Sequence, residues 1–290
     1  RDFCLSRGLG DVYKRQNFCL NAFFLFVLHK GVAGVATATV ISRIINLVIV
    51  VLLGAVLVKA KQHPERESNR AVMGQIIRIG LPSACETAIY NVSMTLVIRF
   101  LNQMDAQGLN VTARSYTMQI TNFSYCVGAA LAQANAIMTG WHIGAKEYDA
   151  CDRGTKKAAV IGVIVAVILE TVFTLCSGWI MQLFSKDPQM VSLVGKLLAI
   201  DIVLEIGRVT NLVYGQALKT SGDAVFPVVM GACFMILCSV GGTYLFGIRL
   251  GLLAVGAYIG MTGDECVRAV GMYLRWKSGK WKEKGLVKSR

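Results

Sequence analysis

Between Ala158 and Ser185 the chain carries a single charged side chain, Glu170, and comparable apolar runs recur along most of its length between short basic loops. A helix on the surface of a soluble protein keeps one polar face, whereas an apolar run of about 20 residues matches the thickness of a bilayer core. In lipid every backbone N–H and C=O must be satisfied inside the segment, which a helix achieves. These runs therefore point to an all-α polytopic membrane protein. Composition agrees: 54% of the 290 residues are hydrophobic and 16% charged, where a soluble domain holds about 25% charged. No stretch reads as a separate soluble catalytic domain.

The net charge of +13 acquires meaning from where the basic residues lie. Hydropathy places helices near 17–29, 34–58, 76–101, 111–139, 157–184, 190–216, 225–247 and 250–275, eight transmembrane spans in all. Leu81-Pro82 falls one turn into the third span, and Asp187-Pro188 precedes the sixth. On one side of this ladder stand seventeen Lys and Arg residues, from Lys59, Lys61 and Arg66 through Lys146 and Lys219 to the tail beyond Arg275. The other side has six: Lys30, Arg99, Arg114, Lys186, Lys196 and Arg249. Positive loops stay on the cytoplasmic side, so the expectation is a multi-pass protein of the plasma (inner) membrane with a cytoplasmic C-terminus. Nucleic acid is not an expected partner, since the basic tail offers only Trp276 and Trp281 for stacking.

Seven of the nine cysteines (Cys19, Cys85, Cys126, Cys176, Cys233, Cys238 and Cys266) sit inside apolar runs without a CxxC pair, and His29, His63 and His142 lie in three separate loops. The cysteines read as small packing residues, and neither a metal site nor a cofactor is expected. Residues 1–16 break sharply in composition from the apolar run at Asn17 and resemble translated adaptor sequence, so they are set aside from the fold.

A short internal similarity bears on organisation. Gly31-Val32-Ala33-Gly34-Val35-Ala36 lines up with Gly251-Leu252-Leu253-Ala254-Val255-Gly256 at an offset of 220 residues, each after an aromatic-rich span and a short loop. By that offset the helix beginning near Gln75 has a partner about 145 residues before residue 1. The expected whole is a twelve-helix protein of two six-helix lobes, of which four helices precede this chain. Residues 17–58 are then the last two helices of the N-lobe, 59–75 a cytoplasmic linker, 76–275 a six-helix C-lobe and 276–290 a basic cytoplasmic tail.

Ionisable residues at membrane depth are costly and mark cavities or partners. Asp201, Glu205 and Arg208 fall at i, i+4 and i+7, one stripe of the sixth span with Asn211 at its edge. Two carboxylates against one guanidinium leave a spare acid that can titrate or hold a small cation. In the third span Ser83, Glu86, Tyr90 and Ser93 share a face, with Glu86 expected to snorkel to the near surface. Ser115, Gln119, Asn122, Cys126 and Gln133 form a polar stripe along the fourth span, flanked by Tyr116 and Tyr125, which suits the wall of a water-filled cavity. Glu170 has no evident basic partner; Asp264 and Arg268 read as a simple pair, with Glu265 pointing elsewhere.

The segments Gly80-Leu81-Pro82-Ser83-Ala84-Cys85-Glu86, Glu205-Ile206-Gly207-Arg208-Val209-Thr210-Asn211 with Gly222-Asp223-Ala224-Val225-Phe226-Pro227, and Arg275-Trp276-Lys277-Ser278-Gly279-Lys280-Trp281 resemble the multidrug and toxic-compound extrusion (MATE) family over residues 17–290. The resemblance implies a two-lobe antiporter, not an enzyme, that exports organic cations or other amphipathic small molecules against Na⁺ or H⁺ by alternating access. By it Glu205 and Asp201 bind the driving ion, Arg208 tunes them with Asn211 beside it, and Gln119, Asn122, Tyr90 and Glu86 line the substrate cavity. The full-length protein is expected to be a monomer in the bilayer. A lipid-linked saccharide flippase of the same superfamily is the alternative; it calls for several Arg and Lys in the cavity, where this half offers mainly Arg208. An intramembrane enzyme comes third, because no histidine lies deep in a span.

Overall fold

The computed structural model describes residues 16–59, 69–104 and 108–283, and among them helix is the sole regular structure. The helices are α1 (Gln16–Val27), α2 (Gly31–Lys59), α3 (Asn69–Met104), α4 (Leu109–Gly144), α5 (Tyr148–Leu175), a short α6 (Ser177–Met181), α7 (Pro188–Thr220), α8 (Val225–Arg249) and α9 (Leu253–Lys277). Three segments, Gly31–Leu53, Tyr148–Leu175 and Val225–Arg249, are long and apolar enough by themselves to cross a membrane.

The chain divides into two compact units, residues 1–72 and 73–290. In the first, α1 and α2 form a hairpin whose turn uses left-handed φ at His29 and Gly31 (51° and 54°). Asn17 reaches Ser42 and Thr39 across it, at 3.4 and 3.5 Å. Residues 1–15 of the adaptor-like segment, 60–68 of the expected linker and 284–290 of the tail lie outside the described residues. Gln16, which the sequence reading grouped with that first segment, is already helical.

The second unit is built around α7, which packs on α4, α5 and α9. Val209 of α7 is inserted between two glycines: a Cβ on Gly128 of α4 would come within 2.9 Å of its side chain, and one on Gly162 of α5 within 2.8 Å. Small residues are what allow helices to approach this closely in a membrane, where lipid removes most of the hydrophobic drive to pack. Leu197, Leu198 and Leu204 of α7 join Val97, Leu101, Ile120 and Tyr258 in one buried cluster. Val209, Val213 and Leu218 join Cys151, Met272 and Trp276 in another. The charged stretch of α7 falls between the two.

Three details differ from the sequence reading. α3 begins at Asn69 and runs unbroken through Pro82; a proline inside a membrane helix is tolerated where neighbouring groups re-satisfy the freed backbone. The span expected over 157–184 ends at Leu175, and Cys176 turns the chain into α6, its carbonyl accepting from the backbone N–H of Trp179 and Ile180. α8 is wound as π-helix over Met235–Val240 and Thr243–Arg249. Between those two stretches Gly242 meets Gly260 of α9 so closely that a Cβ on Gly242 would stand 2.7 Å from the Gly260 Cα.

Helix ends are tied across the unit. Asp187 caps α7 by accepting from the Gln189 N–H at 2.9 Å, with Pro188 at the first helical position. The buried Asn110 Oδ1 accepts from the Ala254 N–H at the start of α9. At the other end of α9, Trp276 donates to Asp152 at 2.9 Å and stacks on Trp281 at 4.2 Å, and the Trp281 indole donates back to the Trp276 carbonyl.

Candidate functional site

Inside the second unit α3, α4, α7, α8 and α9 enclose a cavity of roughly 660 Å³. Its wall includes Glu86, Tyr90, Arg114, Asn122, Asp201, Arg208, Asn211, Lys219, Tyr258, Asp264, Glu265 and Arg268. Four carboxylates and four basic residues thus face one space, and Glu205 stands directly behind with its side chain fully buried.

The α7 stripe is organised by Arg208. Its Nη1 donates to Glu205 Oε2 at 2.7 Å, and its Nε lies 3.9 Å from Glu265 Oε1 on α9. Glu265 in turn accepts from Arg268 Nη2 at 2.9 Å and from Asn211 at 3.0 Å. Arg268 grips Asp264 through two bonds of 2.9 Å, and Asp264 accepts from the buried Ser239 hydroxyl. The result is a network of ion pairs and hydrogen bonds from Glu205 to Ser239 across α7, α9 and α8, with the Asn211–Glu265 bond as its close link between α7 and α9 and Arg208–Glu265 as a longer one. It depends on close helix approach: a Cβ on Gly207 would fall 2.9 Å from the backbone of Glu265 and Cys266, so only glycine lets α7 sit there. The expectation that Glu265 points elsewhere is corrected. Neighbour to Asp264 in sequence, it nonetheless reaches Arg268 from the i+3 side and α7 across the interface.

The spare acid of the stripe is Asp201. It is 2% exposed, and its Oδ2 has no hydrogen-bond partner among the described residues; Glu205 Oε1 is in the same condition. Glu170 is fully buried on α5, within electrostatic reach of Asp201 and Glu205 and beside the Ser124 hydroxyl of α4. Burying ionised carboxylates without matching cations is costly, and Glu170, Asp201 and Glu205 stand together here with Arg208 as the cation the structure sets against Glu205. Among the described residues no three His, Cys, Asp or Glu side chains converge on one metal position.

Of the eight residues singled out from sequence, Asp201, Arg208, Asn211, Asn122, Tyr90 and Glu86 line the cavity, and Glu205 backs it. Gln119 does not reach it: it lies on the exposed face of α4 with Ser115, Cys126 and Gln133, and of that stripe and its flanking tyrosines Asn122 and Tyr125 reach the wall. One helical face subtends more than one environment once neighbouring helices cover part of it. Glu86 does not snorkel freely, because Lys219 of α7, 133 residues away, meets it at 2.6 Å. The expectation that Arg208 is the main basic group of the cavity is also corrected, since Lys219, Arg268 and Arg114 line it as well. The charge ladder counts Lys219 on one side of the bilayer and Arg114, inside the span at 111–139, on the other. Position in the chain offered one clue to Arg114, which lies a full turn inside α4 and is 7% exposed.

A family model described as MatE matches residues 82–245, more than half of the chain. The chain belongs to the MatE family. Its all-α architecture is that of MATE folds. It is 34% identical over 259 residues to an uncharacterized transporter, YisQ, of Bacillus subtilis (strain 168), the alignment covering 89% of this chain and 56% of that protein. A probable multidrug resistance protein NorM of Thermotoga maritima is 22% identical over 98% of this chain and 64% of its own length. The multidrug and toxin extrusion protein 2 of Homo sapiens is 22% identical over 87% of this chain and 42% of its own. Among solved structures, the eukaryotic MATE transporter AtDTX14 superposes with a TM-score of 0.82 at 18% identity, over 95% of this chain and 62% of that one. A MATE structure in the straight conformation superposes with a TM-score of 0.78 at 19% identity, over 93% and 62%. The chain thus spans less than two thirds of the length of each of these relatives.

Proposed function

We propose that this MatE chain is part of a secondary active exporter of amphipathic compounds, driven by Na⁺ or H⁺ and working by alternating access. Residues 17–58 belong to the N-lobe and 76–275 form the C-lobe of a two-lobe, monomeric transporter. It resides in the plasma (inner) membrane with its C-terminus in the cytoplasm. The observation that carries the coupling reading is the pair of acceptor oxygens, Asp201 Oδ2 and Glu205 Oε1, buried at a polar cavity without hydrogen-bond partners among the described residues. A proton or small cation there satisfies both, and its arrival weakens the hold of Glu205 on Arg208. That bond is one end of the chain of contacts joining α7 to α9 and α8, so occupancy of the ion site is transmitted to the cavity wall. The names of the relatives, multidrug resistance and toxin extrusion proteins, support amphipathic small molecules as cargo.

A lipid-linked saccharide flippase is the less supported reading. Three of the four basic residues in the cavity, Lys219, Arg208 and Arg268, are held by carboxylates and so do not present a free basic surface to lipid phosphates.

The test is Glu205→Gln in the transporter that contains this chain, with gradient-driven efflux of a fluorescent organic cation measured alongside membrane abundance. The amide keeps an acceptor for Arg208 but cannot take up a proton, so abundance should hold while efflux ceases to follow the ion gradient. If Glu205 serves Arg208 alone, breaking the pair costs about 3–5 kcal/mol, abundance falls, and Arg208→Gln in the same protein restores both. Normal coupled efflux in the Glu205→Gln protein removes this residue from the mechanism.

A further inference from the structure

Beyond α9 the chain turns back on itself. Gly279 takes the left-handed φ (70°) that the turn requires, its N–H donates to the Trp276 carbonyl at 3.1 Å, and the Lys282 N–H donates to the Gly279 carbonyl at 3.0 Å. Trp281 is thereby laid flat on Trp276, 1% exposed, and meets the Tyr148 ring at the start of α5 in a T-shaped contact at 5.9 Å. Lys282 rides on the same two rings, its Nζ 5.7 Å from the centre of Trp281 and 6.0 Å from that of Tyr148. A lysine that follows α9 in the chain is in this way fixed beside the first turn of α5.

The fold-back gathers positive charge. Lys146, Arg153 and Lys157 around the start of α5, and Lys277, Lys280 and Lys282 at and after the end of α9, are all exposed, and none has a carboxylate within ion-pair distance among the described residues. The neighbouring acids are engaged elsewhere: Asp152 accepts from Trp276 at 2.9 Å and from Lys156 at 2.6 Å, and Glu147 faces His142 at 2.9 Å, which leaves Asp149 and, in the sequence, Glu283. Like charges brought together repel, and a surface that meets only water intersperses the two signs. The cluster also stands at the lip of an apolar wall. One or two turns deeper, Val160, Ile161 and Ile164 on α5 and Val270 and Leu274 on α9 are exposed. Cations at the rim with apolar side chains below them match a phospholipid, its phosphate at the rim and its chains along the wall. We propose that this collar binds the headgroups of anionic phospholipids, and that it is assembled when Trp281 docks on Trp276 and carries Lys280 and Lys282 to the start of α5. The positive-inside rule accounts for the side of the bilayer these residues occupy but does not call for a tail folded onto α5. The site is separate from the cavity, whose wall includes none of the six cations.

The test uses the complete transporter that contains this chain, purified in detergent and titrated, under native mass spectrometry, with phosphatidylglycerol or with phosphatidylcholine of the same acyl chains. A Lys or Arg at an anionic lipid surface contributes roughly fivefold in affinity, so the tightest binding event should favour phosphatidylglycerol by roughly a hundredfold. Lys280→Gln together with Lys282→Gln should weaken phosphatidylglycerol roughly twenty- to thirtyfold and leave phosphatidylcholine unchanged, whereas Lys280→Arg together with Lys282→Arg should keep the preference. Trp281→Ala retains every charge but frees Lys282, and should lose a comparable share of the preference beside unchanged phosphatidylcholine binding; should that variant fail to fold, the lysine pair still decides. Equal affinity of the unaltered transporter for the two lipids overturns the proposal, as does a Gln pair that keeps the full preference or loses both lipids together. A Trp281→Ala protein that binds phosphatidylglycerol like the unaltered one shows that scattered surface lysines suffice, and removes the assembled site. Displacement of phosphatidylglycerol by millimolar glycerol phosphate makes this a site for soluble anions and likewise overturns it.

Discussion

Gly207 holds the charged network together without carrying a charge, and Gly207→Ala tests that directly. The added Cβ would stand 2.9 Å from the Glu265 carbonyl carbon and the Cys266 nitrogen and 3.2 Å from the Cys266 Cα. All three are backbone atoms of α9 and cannot swing aside. Ordinary contact needs about 3.5–4.0 Å, so α7 and α9 must part by roughly 0.6–1 Å. The Asn211–Glu265 bond, now 3.0 Å, then exceeds hydrogen-bond range, and the Arg208–Glu265 approach, already 3.9 Å, opens further. Overpacking costs about 1–3 kcal/mol and a lost hydrogen bond to a charged group about 1.5–3 kcal/mol, so the variant should lose about 2.5–6 kcal/mol. Thermal unfolding of the detergent-solubilised protein reads that loss. A double-mutant cycle supplies the sharper criterion: Asn211→Ala should cost about 1.5–3 kcal/mol in the native background and almost nothing when Ala already occupies position 207, because the bond it removes is gone. If Gly207→Ala melts with the unaltered protein, or if the two costs simply add, the close approach at Gly207 is not what positions Glu265.

Trp281→Ala removes the ring stacked on Trp276 and the bond to its carbonyl, and should cost about 3–5 kcal/mol while shifting tryptophan emission to the red as Trp276 meets water; an unchanged spectrum would show that the clasp does not persist in solution. Glu86→Lys and Lys219→Glu each break a pair whose side chains are about a quarter exposed, so each single change should lower stability by about 1 kcal/mol. The double exchange should restore it, and a double variant no better than the singles would remove that pair as a tie between α3 and α7.

Much of the architecture was legible in the sequence, because hydropathy is a local property. Apolar runs long enough for a bilayer recur at the positions where helices form, and Asp187-Pro188 marks a helix start through chemistry contained in two adjacent residues. The i, i+4, i+7 spacing likewise sufficed to put Asp201, Glu205 and Arg208 on one stripe, since 3.6 residues per turn is independent of what surrounds a helix. What covers that stripe is not local. Lys219 reads as a loop cation until α7 brings it to Glu86. Glu265 reads as a bystander to the Asp264–Arg268 pair until Gly207 admits its backbone, and Gln119 shares a face with Asn122 yet misses the cavity that Asn122 lines. Arg114 counts as one more charge near the start of the span at 111–139 until packing buries it and leaves it, among the described residues, a cavity cation without a carboxylate. Helical periodicity determines which residues of one segment stand together; which charges are paired, orphaned or left facing a ligand depends on distances of a few ångströms between segments far apart in the chain, and only packing decides those.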